Sequence, residues 1–155
     1  NRNILAVHSL SKRSNLAGYR AAFVVGDPSL IAEILEVRKH AGMMVPLPVQ
    51  KAMIAALSDK GHAAEQRARY NDRKARLIPA LKAAGFTIDF SDAGLYLWAT
   101  RNEDCWESVA WLADLGILAT PGSFYGDTTH IRIAMTATDQ EIDSAAARIL
   151  GAVKS

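Results

Sequence analysis

From His62 to Ala84 the sequence runs "HAAEQRARYNDRKARLIPALKAA", a long, charged stretch at helical period. Gly85 behind it reads as its C-cap, and Pro79 inside it as a point of kinking. A helix of this length bridges two domains, and the chain changes character across it. The expected division is therefore 1–60 and 61–155, the second part entered by the long helix. Half of the 155 residues are hydrophobic, enough for one sizeable core or two small ones.

Before the long helix, the apolar run in "NILAVHSLS" reads as a short buried strand and "YRAAFVV" as a second. Helices follow, one opened by Pro28 with Ile31, Ile34 and Leu35 on one face, and one opened by Pro48. Beyond the long helix "FTIDF", "GLYLWAT" and "THIRIAM" read as strands and "CWESVAWLADLG" as a helix. The last helix starts with Thr138 as N-cap and Glu141 three residues on. The expected fold class is α/β.

Several classes of function are disfavoured by the same sequence. A net charge of +2 gives no general reason to expect nucleic acid or a membrane surface as partner. The single cysteine, Cys105, forms no internal disulfide, and no apolar run approaches the roughly 20 residues of a membrane span. A reducing cytoplasm fits best. The chain opens on Asn1 and enters "ILAV" after three residues, so a piece of a longer protein is expected. His8 reads as a satisfied core histidine or one supporting a neighbour. His40, His62 and His130 have no metal spacing. The crowded Arg67, Arg69, Arg73, Lys74 and Arg76 are interrupted by Asp72 and read as a solvated face. Trp98, Trp106 and Trp111 read as packing residues.

The chemistry concentrates in "HSLSKRSNLAGYR", the loop between the first two strands. If those strands pair antiparallel, Ser9, Ser11, Lys12 and Arg20 come to one sheet edge. Two hydroxyls and a guanidinium fork suit a phosphate, and an amine among cationic groups is a nucleophile toward aldehydes. Amine and phosphate cup together match pyridoxal phosphate. On residues alone a solvated turn explains the loop equally well.

The pattern S-x-S-K-x-x-x-x-x-G-x-R, present here as "SLSKRSNLAGYR", resembles the lysine segment of the class I/II aminotransferases, pyridoxal-phosphate enzymes of fold type I. "VPLPVQ", "YNDRK", "GLYLW", "PGSFYG" and "HIRIA" follow in the family's order. Ala22 departs from the family's usual glycine by one methyl. The resemblance implies the C-terminal half of such an enzyme. Residues 1–60 would then be the end of the large-domain mixed sheet that binds pyridoxal 5'-phosphate, and 61–155 the small α/β domain. Lys12 is the implied catalytic lysine, Ser9, Ser11 and Arg20 the implied phosphate ligands, and Arg132 the implied clamp on the substrate carboxylate. Without the family, Arg132 reads as a solvated strand arginine.

The resemblance also implies amino and keto acid substrates, a homodimer, and an interface role for Met43, Met44, Val45 and Pro46. "PGSFYG" reads equally as an ordinary turn or as the border of the substrate entrance. "RKHAGMMVP" and "SDAGLYLWATR" most resemble the actinobacterial succinyldiaminopimelate aminotransferases. A pyridoxal-phosphate carbon–sulfur β-lyase and a non-enzymatic module are the alternatives. The family's first half carries the aspartate facing the cofactor ring, so the isolated chain is expected to be inactive, with apolar strand edges exposed.

Overall fold

The apolar run after Asn3 forms β1 (Leu5–Ser9), followed by a short helix α1 (Leu10–Arg13) and a 3-10 turn at Ala17–Tyr19. β2 (Ala22–Gly26) returns antiparallel to β1 in the register Leu5 to Gly26 and Ser9 to Ala22. Then come α2 (Pro28–His40), α3 (Leu47–Ser58) and α4 (Gly61–Ala83), the long helix, with Pro79 inside it. The remaining elements are β3 (Thr87–Asp89), β4 (Tyr96–Thr100), α5 (Cys105–Asp114), β5 (Thr120–Pro121), a 3-10 helix at Gly122–Tyr125, β6 (His130–Ala134) and α6 (Asp139–Lys154). These come from a computed structural model that describes residues 2–154. The chain divides into two compact units, Asn1–Gln66 and Arg67–Ser155.

In the first unit, Asp27 organises the start of α2. Its carboxylate accepts from Ser29 N at 2.9 Å and from Asn3 N at 2.8 Å, tying the helix to the residues before β1. Those bonds, that from Asn3 foremost, hold the Asp27 carboxyl below its ordinary range. Within this chain by itself the expected burial of the first strand is not met. All five β1 residues are exposed, with Val7 at 72%. A two-stranded sheet has two faces, and among the described residues nothing seals those of β1. His8 is likewise exposed rather than a core residue, and its ring lies 5.2 Å from that of Phe23.

The second unit is sealed. Its sheet has the order β3-β4-β6-β5, each pair antiparallel. Period-two alternation sorts the faces: Leu97 and Ala99 of β4 and Ile131 and Ile133 of β6 are buried with Leu81, Leu112, Ile142 and Ile149 from α4, α5 and α6. Tyr96, Trp98, His130 and Arg132 take the other, half-buried face. The end of α4 is closed by Gly85 at φ +86°, where Gly85 N donates to Lys82 O and Phe86 N to Leu81 O, both at 3.0 Å. Thr138 and Glu141 start α6 reciprocally: Thr138 N donates to Glu141 Oε2 at 2.7 Å and Glu141 N to Thr138 Oγ1 at 3.3 Å. Thr138→Ala is expected to lower stability by about 1 kcal/mol, read as a shift of the urea midpoint of the full-length protein.

Part of the basic stretch of α4 departs from the expected solvated face: Arg67 and Arg69 are exposed as expected, but the next turn is not. Arg73 and Lys74 are both buried. Arg73 Nε donates to Asp139 Oδ1 at 2.6 Å and Nη1 to Met135 O at 2.9 Å, while Lys74 Nζ donates to Ser91 O at 2.9 Å. Arg76 meets Asp72, Asp139 and Asp143. The acidic first turn of α6 and the turn after β3 supply the acceptors, so these charges serve as internal ties rather than as a solvent coat. Trp106 also differs from expectation: it is 52% exposed, edge-on to Phe124 at 5.9 Å.

Candidate active site

Antiparallel pairing of β1 and β2 puts Ser9 at the end of one strand and Ala22 opposite it, with Arg20 just before the second strand begins. Ser9 caps α1: its hydroxyl accepts from Ser11 N at 3.1 Å and donates to Ser11 Oγ at 2.9 Å. Lys12 follows on the same short helix, exposed. Arg20 is held in the left-handed region at φ +50°, ψ +43°, a conformation that costs a non-glycine residue about 1 kcal/mol. Its Nη1 donates to Ala17 O at 3.0 Å, fixing the guanidinium against its own turn. Among the described residues no carboxylate pairs with Lys12 or Arg20.

The segment is braced from behind by His62. Asp59 accepts from Gly61 N at 2.8 Å at the head of α4, and this bond first, then that from His62 N, holds its carboxyl below the ordinary range. Its second oxygen lies 3.3 Å from His62 Nδ1, and His62 Nε2 lies 2.9 Å from Ser14 Oγ. Ser14 is the residue that closes α1, so a chain of polar contacts links the helix carrying Lys12 to the start of α4.

Arg132 lies in the second unit, on β6, directly opposite Trp98. Its Cζ is 4.4 Å from the Tyr96 ring centroid and 5.1 Å from that of Tyr125. Nε is buried without an acceptor, and Nη2 donates to Thr120 Oγ1 at 3.4 Å. A half-buried guanidinium with an unfilled N–H and no acid paired to it among the described residues can take a carboxylate or a phosphate.

On the same face His130 stacks on Trp98, 5.2 Å between centroids and 6° between planes. Its Nε2 is 3.1 Å from Asp89 Oδ2 and its Nδ1 2.8 Å from Asp127 Oδ2. Burial opposes the charge on this imidazole, but the bonds to Asp89 and Asp127 prevail and raise its pKa above the ordinary value. Asp127 is held at about 2, first by the Thr129 backbone N–H.

Ser9 and Ser11 are in direct contact, Lys12 and Arg20 belong to the same strand-to-strand connection, and Arg132 is in the other unit. Neither Tyr96 nor Tyr125 is singled out by its sequence motif, although the spacing of Tyr96 and Trp98 already puts both on one face of a strand. Among the described residues no group of three or more His, Cys, Asp or Glu side chains is arranged to hold a metal ion. No helix among them is long and apolar enough to cross a membrane.

Comparison with known proteins gives this geometry a family. Residues 1–149 match the model described as aminotransferase class I and II. The chain is 62% identical over 148 residues to a probable aminotransferase of Mycobacterium tuberculosis, covering 94% of this chain and 35% of that protein. It is 60% identical to the 4-dedimethylamino-4-oxo-anhydrotetracycline transaminase of Streptomyces rimosus, covering 94% and 41%. To an LL-diaminopimelate aminotransferase of Dehalococcoides mccartyi it is 32% identical, covering 96% and 40%. The crystal structure of an aminotransferase from Neisseria meningitidis superposes with a TM-score of 0.88 at 31% identity, over 98% of this chain and 41% of that one. The chain thus spans well under half the length of the proteins it matches, and it has the fold of the C-terminal part of fold type I. With a family match that runs through the lysine segment to the last helix, the chain belongs to the class I and II aminotransferases.

Proposed function

We propose that the protein containing this chain transfers an amino group between an amino acid and a keto acid. The observation that carries this is the donor set on one loop, two hydroxyls, an amine and a guanidinium borne on a left-handed backbone residue, with no acid among the described residues to neutralise it. The family is pyridoxal-phosphate dependent, and that donor set fits the group: a phosphate dianion matches the hydroxyls and the fork, and an aldehyde matches the amine. When bound, pyridoxal phosphate supplies the aldehyde that accepts the amino group and the ring that delocalises the electrons left at the substrate α-carbon.

In this reading the residues divide the work. Ser9, Ser11 and Arg20 hold the phosphate and so fix the pivot. Lys12 would hold the cofactor aldehyde and, as a free amine, would remove the α-proton as base and return a proton as acid. Arg132 receives the α-carboxylate, which orients the breaking C–H bond.

For the substrate we propose glutamate as amino donor and the keto form of N-succinyl-diaminopimelate as acceptor, in lysine and diaminopimelate synthesis. Support comes from the "RKHAGMMVP" and "SDAGLYLWATR" runs and from diaminopimelate aminotransferases among the relatives. A second reading, amination of a polycyclic ketone, is favoured by the higher identity to the Streptomyces rimosus transaminase. The assay is the full-length protein with glutamate and a panel of keto acids that includes both. The first reading predicts the highest kcat/KM for the succinylated acceptor. Preference for the polycyclic ketone would replace it, and release of pyruvate and ammonia from a cysteine conjugate would make the protein a β-lyase. A homodimer is the proposed assembly, read by sedimentation of the same protein.

A further inference from the structure

The arginines of the second unit find different partners: Arg148 donates to the backbone carbonyls of Leu115 and Gly116, and Arg101 lies over the Phe86 and Trp111 rings as well as beside a carboxylate. Arg73, Arg76 and Arg101 each meet carboxylates, of Asp139, of Asp72, Asp139 and Asp143, and of Glu103. Arg132 meets aromatic faces, Tyr96 at 4.4 Å and Tyr125 at 5.1 Å, with no carboxylate paired to it among the described residues. A π face attracts the cation but accepts no in-plane N–H, so the hydrogen-bonding edges of the guanidinium are left over. The Arg132 Nε is buried and unfilled, as is that of Arg76, but Arg76 has three carboxylates on its other nitrogens whereas Arg132 has only the Thr120 hydroxyl.

Two acids lie on elements next to this face, Asp89 at the end of β3 and Asp127 after the 3-10 helix, and His130 engages both through its two ring nitrogens. Asp127 accepts further from Thr129 N and His130 N, and its own N–H donates to Gly122 O at 3.1 Å, at the head of the 3-10 helix that ends in Tyr125. Gly122 is required there, because a Cβ would collide with His130 O and Asp127 O. Trp98, on which His130 stacks, meets the Tyr125 ring edge-on at 6.0 Å.

We propose that Tyr96 and Tyr125 are positioning residues that clamp the plane of the Arg132 guanidinium, with the His130–Trp98 stack setting Tyr125, so that its in-plane N–H edge is kept for a substrate carboxylate. The proposal rests on the reading of Arg132 as the carboxylate receptor. It adds a specific job for the "PGSFYG" motif: the loop supplies one jaw of the clamp, and β4 supplies the other.

The test uses the full-length protein loaded with cofactor and two readouts, calorimetric binding of glutarate and steady-state kinetics with glutamate. Tyr125→Leu and Tyr96→Leu are each expected to weaken glutarate by about three- to thirtyfold, with the kinetic loss falling on KM more than on kcat. Tyr125→Phe and Tyr96→Phe keep the ring and are expected to restore affinity. Tyr125 is 53% exposed, so its Leu variant keeps the test valid if Tyr96→Leu fails to fold. Arg132→Gln separates the two ideas. If it weakens glutarate while Tyr125→Leu binds like the parent, the clamp is wrong and the receptor stands. If Arg132→Gln also binds like the parent, both fall. A Tyr125→Leu defect confined to kcat likewise overturns the clamp.

Discussion

Lys12→Ala in the full-length protein is expected to abolish the borohydride-reducible visible absorbance that pyridoxal phosphate gives with the parent, and to cut amino transfer by about a thousandfold or more. The expectation follows from what surrounds the amine. Lys12 sits one residue after Ser11, on a helix capped by the Ser9 hydroxyl, and no carboxylate among the described residues pairs with it. Lys39 of the same unit, by contrast, pairs with Glu36 at 2.6 Å. Lys12→Arg restores the charge without the nucleophile, so it should stay colourless. If the alanine variant remained yellow and fixed the cofactor on reduction, the role of Lys12 would have to be given to another amine.

Arg132→Gln is expected to lower kcat/KM for the amino donor by about a hundredfold, corresponding to the loss of a charge-assisted, two-bond contact worth about 3 kcal/mol. Most of it should appear in KM, because the α-carboxylate is bound before and during the chemical step. Arg132→Lys should recover only part, since an ammonium lacks the planar fork and stacks less well between Tyr96 and Tyr125. Equal kcat/KM for parent and Arg132→Gln across several amino acids would remove Arg132 from the substrate site.

The elements that sequence made legible are those with a strong local signature. Apolar runs gave β1, β2, β4 and β6, and the Thr138–Glu141 spacing gave the start of α6 to the residue. β5 escaped because Thr120–Pro121 has no periodicity and exists only through its pairing with β6. Burial was harder to read than element type. The run Leu5–Val7 looks like a core strand, yet an apolar sequence states a demand for burial without naming what meets it. The opposite error arose in "YNDRK", where charge suggested solvent although Arg73 and Lys74 find Asp139, Met135 O and Ser91 O at positions far along the chain. For the site, the lysine loop was readable because its residues are close in sequence. The neighbours of Arg132 were not, because Tyr96, Tyr125 and Arg132 meet only when β4, the 3-10 helix and β6 come together.

The contrast between an unsealed β1–β2 pair and a sealed four-stranded sheet carries over to backbone dynamics. Amides of Leu97, Ile131 and Ile133 lie over a closed core, so their hydrogens exchange only when that unit opens as a whole. In the isolated chain Val7 and Val25 are 72% and 52% exposed, so solvent reaches the ladder and opening there is a local event of small free energy. The loop bearing Lys12 hangs from that loosely guarded ladder. In the isolated chain its geometry is therefore open to being tightened by whatever covers that ladder.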